Sequence, residues 1–199
     1  MAISRFITSQ YSSEQFVESA GAILFRLSTK EICLLHLLQS DEYVLAKGRR
    51  NCQESTQQTA VRELMEETGY RCRLLPVTIS TRAPPAIETE QMADVPRTLS
   101  NITGPFFLQI RQSSENNVKL IWWYVAALDK EHNEDSKEKE ELNFKAQFYN
   151  YEEALEKLTF QADRDMIKKA IEIVQASYTD LRLLTLSDAL ARGENVETR

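Results

Sequence analysis

GRRNCQESTQQTAVRELMEETGY, residues 48–70, is the most densely patterned stretch of the chain. From Ser55 to Thr68 the pattern is helical, and Gly69 follows at the position where a left-handed cap is expected. At about 100° per residue, small and apolar side chains fall on one stripe of this helix, namely Ala60, Val61, Leu64 and Thr68. The stretch therefore predicts a polar loop, over residues 47–54, followed by a helix with one buried face.

Three glutamates occupy a second stripe of the same helix at i, i+3 and i+4, namely Glu63, Glu66 and Glu67. Like charges at this spacing repel by a few tenths of a kcal/mol per pair. A hard divalent cation would reverse that repulsion, because carboxylate oxygens are its preferred ligands. The alternative is a solvated acidic face on which Arg62 pairs with Glu66. Spacing alone leaves both interpretations open.

The residues around the helix complete a longer pattern, G-x5-E-x7-R-E-U-x-E-E-x-G-U, in which U is apolar. Every specified position is filled, by Gly48, Glu54, Arg62, Glu63, Leu64, Glu66, Glu67, Gly69 and Tyr70. The stretch thus resembles the Nudix box. The KGRR segment at residues 47–50 is in turn similar to a subgroup of small, single-domain fungal members of that family.

The resemblance implies a hydrolase that cleaves a diphosphate bond in a nucleoside diphosphate derivative or a related compound. It implies Mg²⁺ as the cofactor, with Mn²⁺ as the alternative. The implied metal ligands are Glu63, Glu66, Glu67 and the Gly48 carbonyl, and the implied catalytic set is Glu63, Glu66, Glu67 and Arg62. Glu54 and Gly69 are the implied structural residues, Glu54 as the partner of Arg62 and Gly69 at the helix exit. The general base is not fixed in the family, and the candidates outside the box are Glu88, Glu90 and Asp94.

The implied fold class is α/β, an α/β/α sandwich with a mixed sheet. We expect the Nudix domain over residues 17–178, after an N-terminal extension, 1–16, and before a C-terminal tail, 179–199. Hydrophobic patterning predicts strands at 19–26, 31–39, 42–46, 119–128 and 144–149, one or two more within 70–82, and helices at 151–158 and 162–178. Residues 83–117 show little periodicity beyond the apolar segment 106–110. We expect a long functional loop there.

Composition excludes several other classes of protein. With 24 basic and 30 acidic residues the net charge is −6, the wrong sign for a binder of duplex nucleic acid. No apolar run approaches the roughly 18 residues of a membrane span, and the start of the chain lacks a secretory signal. Three cysteines without close pairing predict reduced thiols in a cytoplasmic or nuclear protein. The sequence leaves the oligomeric state open.

Basic residues near the box predict a phosphorylated small-molecule substrate. Lys47, Arg49 and Arg50 lie beside the expected metal site, and Arg82 flanks the long loop. These four residues are the expected substrate-binding set, because arginine is favoured for contacts with phosphate.

Three alternatives for the function remain open. Family members of similar size include hydrolases of diadenosine polyphosphates and of diphosphoinositol polyphosphates, whose substrates are crowded with phosphates. ADP-ribose or NAD(H)-type pyrophosphatases often carry a proline 15 or 16 residues after the box glycine, and Pro84 and Pro85 occupy those positions. A Nudix-fold ligand sensor or scaffold with incidental catalysis is the third alternative.

Overall fold

A computed structural model describes residues 5–85, 93–114, 117–129 and 144–191. The strands are β1 (Phe16–Arg26), β2 (Glu31–Leu37), β3 (Glu42–Val44), β4 (Lys47–Arg49), β5 (Cys72–Leu74), β6 (Val77–Thr81), β7 (Arg97–Ile102), β8 (Phe107–Ser114), β9 (Asn117–Leu128) and β10 (Phe144–Asn150). The helices are α1 (Thr56–Thr68), α2 (Tyr151–Lys157) and α3 (Gln161–Ala191). Over this part of the chain, eight strands form one mixed sheet in the order β10-β2-β1-β9-β5, with β3 on β2, β4 on β1 and β8 on β9. Strands β6 and β7 form a separate antiparallel pair.

The centre of the sheet is the parallel pair of β1 and β9, aligned from Phe16 beside Val118 to Phe25 beside Ala127. Paired strands of this kind are buried on both faces, which explains their long apolar runs. On one face the core includes Ala22, Leu24, Tyr124, Ala60 and Leu64, the last two from α1. On the other face it includes Ile23, Phe25, Trp123, Ile167 and Ala170, the last two from α3. The predicted α/β/α sandwich with a mixed sheet is confirmed.

Both ends of α1 are fixed by local interactions. The Ser55 hydroxyl accepts a hydrogen bond from the Gln58 backbone N–H, and the Gln58 side chain returns one from the Ser55 N–H. This reciprocal capping box satisfies two amides that the helix itself cannot pair. At the other end Gly69 has φ 74°, and its N–H donates to the Met65 carbonyl. The helix predicted from Ser55 to Thr68 and its glycine cap agree with these bounds to one residue.

The segment at 83–117 differs from the loop that we expected. It contains β7, which pairs with β6, and β8, which pairs with β9. The sequence RTLSNI of β7 alternates weakly, because most of its side chains are at least partly exposed. Its strand character therefore comes from pairing with a distant segment, which local periodicity does not report.

Two further bounds need correction. The last helix does not end near Tyr178 but continues to Ala191, through the first part of the segment that we assigned to the tail. No glycine or proline lies between Gln161 and Ala191, so no residue in that range breaks the helix. The polar loop expected from residue 47 begins instead with β4, which pairs with β1.

No described helix is long and apolar enough to cross a membrane. The three cysteines form no disulfide: Cys33 and Cys72 are buried and Cys52 is exposed. Burial raises the pKa of the Cys72 thiol to about 12, so this thiol is unreactive near neutral pH.

The close packing of β1 between β4 and β9 generates a prediction about stability. A Cβ added at Gly21 would overlap the Ala46 carbonyl oxygen and lie 2.7 Å from both Lys47 Cβ and Trp123 Cζ3. We expect Gly21→Ala to lower the free energy of unfolding by about 1–3 kcal/mol, the usual cost of overpacking, in urea denaturation. The matched control is Gly104→Ala, whose Cβ would lie 3.4 Å from Ile102 Cγ2, an ordinary contact. An equal effect of both substitutions would contradict the packing argument.

Candidate active site

A bidentate ion pair joins the box loop to the box helix. Arg62 Nε donates to Glu54 Oε1 at 2.8 Å, and Arg62 Nη2 donates to Glu54 Oε2 at 3.0 Å. The same Nη2 also donates to the Arg49 carbonyl at 3.0 Å. Arginine suits this position because its planar fork matches a carboxylate with two parallel hydrogen bonds. We call this Glu54–Arg62 pair the brace.

Glu54 also accepts hydrogen bonds from groups other than the Arg62 guanidinium. The Asn51 N–H and the Thr59 hydroxyl both donate to Glu54 Oε2, at 3.0 and 2.9 Å. The hydrogen bond from Arg62, assisted by these two donors, lowers the pKa of Glu54 to about 2 against the opposing effect of burial. The pair also raises the pKa of Arg62 above its usual value. The brace is therefore ionised throughout the neutral range.

Two of the three box glutamates contact β4, and the third, Glu66, is bonded to Arg62. Glu63 Oε1 accepts from Arg62 Nη1 at 2.7 Å, and a side chain at Gly48 would overlap the Glu63 carboxylate. Glu67 Oε2 accepts from the Lys47 backbone N–H at 2.8 Å. The side chain of Glu66 is 55% exposed, and its Oε2 accepts from the same Arg62 Nη1 at 3.0 Å. Glycine at position 48 thus lets the strand backbone approach a carboxylate directly.

The donors at this site suit a hard divalent cation, although they are not gathered around one point. Carboxylate and carbonyl oxygens are the ligands that Mg²⁺ and Mn²⁺ prefer. Among the described residues, no three acidic, histidine or cysteine side chains lie close enough together to hold a metal ion. Arg62 Nη1 bonds both Glu63 and Glu66. Binding of a cation by these carboxylates would therefore compete with Arg62 for at least one of them.

Arg50 forms a second ion pair, with a residue that the sequence did not single out. Its Nε and Nη2 contact Glu18 Oε2 on β1 at 2.8 and 2.6 Å, and its Nη1 donates to the Glu54 carbonyl at 2.9 Å. The other oxygen of Glu18 accepts from Trp122 Nε1 at 3.3 Å. The guanidinium of Arg50, which we expected to contact substrate, thus joins the box loop to the sheet. Glu18 is 30 residues before the box glycine, so no local pattern marks it.

Lys47 and Arg49 lie on the face of β4 opposite to the glutamates. Lys47 pairs with Gly21 of β1, and Arg49 pairs with Ser19. Ser19 and Gly21 lie on the same face of β1 as Ile23, which belongs to the core beneath α3. Since residues paired across strands share a face, the two cations are on the α3 side of the sheet, whereas Gly48 contacts Glu63 on the α1 side.

Two cations that sequence reasoning missed share that face, Arg111 on β8 and Lys119 on β9. They lie opposite each other, and Lys119 is beside Val17 of β1. Burial lowers the pKa of Lys119, and the nearby charges of Lys47, Arg111 and Arg49 lower it further. We call Lys47, Arg49, Arg111 and Lys119 the basic face. Only their positions in neighbouring strands bring the four together, so the sequence carries no signal for the set.

The remaining sequence candidates lie apart from these groups or outside the described residues. Arg82 Nε donates to Asp94 Oδ1 at 2.9 Å, and both side chains are mostly exposed. The pair lowers the pKa of Asp94 and raises that of Arg82. The expected substrate residue and this base candidate thus neutralise each other. Glu88 and Glu90 lie outside the described residues.

The mixed sheet lies between helices on its two faces, and Arg62 joins the glutamate-bearing helix α1 to the loop that follows the glycine-containing strand β4. The NUDIX domain family model matches residues 16–170, and the chain belongs to the Nudix family of hydrolases.

Solved structures agree with this fold. A NUDIX hydrolase from Nitrosomonas europaea superposes with a TM-score of 0.51 at 14% identity, covering 76% of this chain and 86% of that one. A NUDIX-family hydrolase from Clostridium perfringens has a TM-score of 0.52 at 16% identity, with 81% and 98% covered. At such identities the likeness shows the fold alone.

The brace generates a prediction about pH dependence. Glu54→Gln keeps the shape of the side chain and removes its charge, so we expect a lower free energy of unfolding near neutral pH. Because the pKa of Glu54 is lowered from 4.5 to about 2, its contribution is fully present above about pH 4.5 and is lost as the pH falls through about 2. Urea denaturation of both proteins between about pH 7 and pH 2 should therefore show their difference shrinking towards zero in acid.

The control for lost charge is Glu156→Gln, which removes an exposed carboxylate from α2. A difference between wild type and Glu54→Gln that stays constant down to pH 2 would contradict an ionised brace.

Proposed function

We propose that this Nudix hydrolase is a pyrophosphohydrolase that depends on Mg²⁺ or Mn²⁺. Its substrate would be a phosphorylated small molecule: a nucleoside diphosphate derivative, a dinucleoside polyphosphate or a diphosphoinositol polyphosphate. The observation that supports the proposal is the contact of Glu63 and Glu67 with β4, together with the complete brace and the bond from Arg62 to Glu66. Family membership supports hydrolysis as the type of reaction.

The chain's own groups prepare this site in three ways. Glu63, Glu66, Glu67 and the Gly48 carbonyl would hold the cation, and the Lys47 N–H orients the Glu67 carboxylate. Arg62 holds Glu63 and fixes the loop through Glu54. When bound, the cation would neutralise phosphate charge and lower the pKa of a water molecule. Arg62 acts here by positioning the carboxylates.

The complete set of box glutamates favours an enzyme over a sensor or scaffold. Sensor and scaffold members of the family often lose box glutamates, whereas all three are present here. Turnover of a diphosphate substrate in the presence of Mg²⁺ separates the two functions.

A second candidate function is an ADP-ribose or NAD(H)-type pyrophosphatase. Pro84 and Pro85 line a cavity of about 370 Å³ together with Ile79 and Leu99. This volume lies within the range of small-molecule sites, and such sites are mostly apolar, so the cavity suits a substrate with a bulky uncharged part. A panel of ADP-ribose, NADH, dinucleoside polyphosphates and inositol pyrophosphates tests both candidates in one assay.

The glutamates generate a prediction about turnover. Replacing Glu66 or Glu67 with Gln removes a charge from the site and keeps the side-chain volume. We expect turnover of the best panel substrate to fall at least about 100-fold, equivalent to roughly 2.7 kcal/mol, with an unchanged circular dichroism spectrum. Glu156→Gln on α2 is the matched control and should retain full activity. Full activity in both box variants would show that the reaction takes place elsewhere.

The same cluster generates a prediction about stability. A cation that binds the native state and not the unfolded chain raises the melting temperature. We expect millimolar Mg²⁺ or Mn²⁺ to raise it for the wild type, and Glu67→Gln to reduce that rise. Calorimetry with and without the metal measures the effect, and an unchanged wild-type curve would count against a metal site in the native protein.

A further inference from the structure

We propose that the basic face, Lys47, Arg49, Arg111 and Lys119, is a binding subsite for phosphate groups beyond the bond that is cleaved, so that the substrate carries several clustered phosphates. This inference rests on the proposed function and names the substrate class of the same site. Four strands, β4, β1, β9 and β8, contribute to the subsite, and its long side chains border residues with small side chains or none, Ser19 and Gly21.

The register of the strands brings the four cations together. Arg49 is beside Ser19 and Lys47 beside Gly21, whereas Lys119 is beside Val17 on the other edge of β1. Arg111 lies directly opposite Lys119. Like charges directly opposite in a sheet are destabilising, and folding alone gives no reason to place them there. A bound polyanion would turn this repulsion into attraction.

The four side chains have no carboxylate partner within the described ranges. Other arginines of the protein do: Arg50 pairs with Glu18, Arg62 with Glu54 and Arg82 with Asp94. Within the described residues, the four cations thus form a cluster without a salt bridge, and two of them lie on the strand that also borders the glutamates. An incoming anion would therefore meet cations that are not held in salt bridges with carboxylates of the described residues.

Two polar groups buried near this face lack partners. The Ser19 hydroxyl is fully buried and, among the described residues, makes no hydrogen bond. Asp163, at the start of α3, is 4% exposed, and its Oδ1 also has no hydrogen-bond partner there. Burial raises the pKa of Asp163, while the charges of Arg111 and Lys47 act in the opposite direction. Arg111 and Lys47 thus act electrostatically on a buried carboxyl group of the protein, and a bound polyanion would act on the same two cations.

A cavity adjoins the subsite. It has a volume of about 490 Å³ and is lined by Arg111 and Lys119 together with Phe16, Val17 and Glu14. This volume lies within the range of sites for small molecules. Among the described residues of its lining, Glu14 is the one carboxylate against two cations.

The subsite and the glutamates meet at Lys47. Its backbone N–H holds Glu67 on the α1 side, while its side chain belongs to the basic face on the α3 side. Among the described strands β4 pairs only with β1, so a substrate that passes the outer edge of β4 would place its scissile diphosphate at the glutamates and further phosphates on the basic face. A substrate with only two phosphates would leave Arg111 and Lys119 without a ligand.

Binding of metal-free polyanions tests the subsite separately from catalysis. Three probes are titrated calorimetrically in EDTA. Inositol hexakisphosphate carries its phosphates on a ring, inorganic tripolyphosphate carries them in a linear chain, and AMP is the low-charge reference. We expect tighter binding of at least one polyanion than of AMP, weakening as ionic strength rises towards roughly 0.15 M. The tighter of the two polyanions would identify a ring or a chain as the preferred arrangement.

The decisive variants are Lys119→Gln and Arg111→Gln. Each substitution should lower the affinity for the tighter-binding polyanion about tenfold, and the double variant should lower it about 100-fold. Lys119→Arg should retain most of the affinity. The matched control, Arg73→Gln, removes an exposed arginine of β5 and should have no effect. Because repulsion is relieved, the melting temperature of the free Lys119→Gln protein should stay the same or rise. If Lys119 were needed only for folding, its replacement would lower the melting temperature.

Equal affinity of the wild type and the double variant for both polyanions would overturn the subsite and leave the proposed function standing. Polyanion binding that depends on Lys119 and Arg111, without turnover of any panel substrate in Mg²⁺, would overturn the proposed function and support the subsite. Affinity for AMP equal to that for both polyanions would also overturn the subsite.

Discussion

The rest of the site depends on the hydrogen bonds of the Arg62 guanidinium. This group bonds the loop at Glu54 and Arg49 and the helix side chains Glu63 and Glu66. Because one rigid group makes all these bonds, the loop and the helix cannot move apart without losing them together. A lysine side chain would reproduce the charge but could not donate hydrogen bonds in all these directions at once. The position of the loop in turn fixes where the preceding strand, β4, meets the helix.

Strand β4 is only three residues long, yet it separates two kinds of chemistry. Gly48 contacts the Glu63 carboxylate on the α1 side, and Lys47 and Arg49 flank it on the α3 side. Alternation along a strand makes this separation unavoidable. Negative charge that could bind a cation and positive charge that could bind phosphate therefore lie close together without neutralising each other. Arg50, which directly follows the strand, is paired with Glu18.

The features that sequence reasoning predicted are those governed by local rules. The helix and its glycine cap follow from periodicity and capping residues within short windows, and the sandwich was implied by the resemblance that the box motif carries. Strand β7 was missed because its exposed side chains leave no strong alternation. The last helix was predicted too short because its apolar spacing was followed only to Tyr178, although no glycine or proline breaks the chain before Ala191.

What could not be predicted at the site depends on contacts between distant segments. Glu18 bonds Arg50 across 32 positions, and the charge of Arg49 acts on Lys119 only because both strands pair with β1. A single sequence holds no record of such pairing, so Arg50 was grouped with Arg49 as a residue of the substrate site. The strand register separates their roles, since it places Arg49 on the basic face and Arg50 in an ion pair.

Paramagnetic broadening by Mn²⁺ tests most directly whether a metal binds between β4 and α1. In an amide NMR spectrum recorded with substoichiometric Mn²⁺, resonances of Gly48 and of residues 63–67 should broaden first, because relaxation falls steeply with distance from the ion. Resonances of α2 should remain sharp, and Glu67→Gln should weaken the local broadening. Broadening centred elsewhere, such as around Asp94, or spread evenly over the protein would contradict a metal site at the box glutamates.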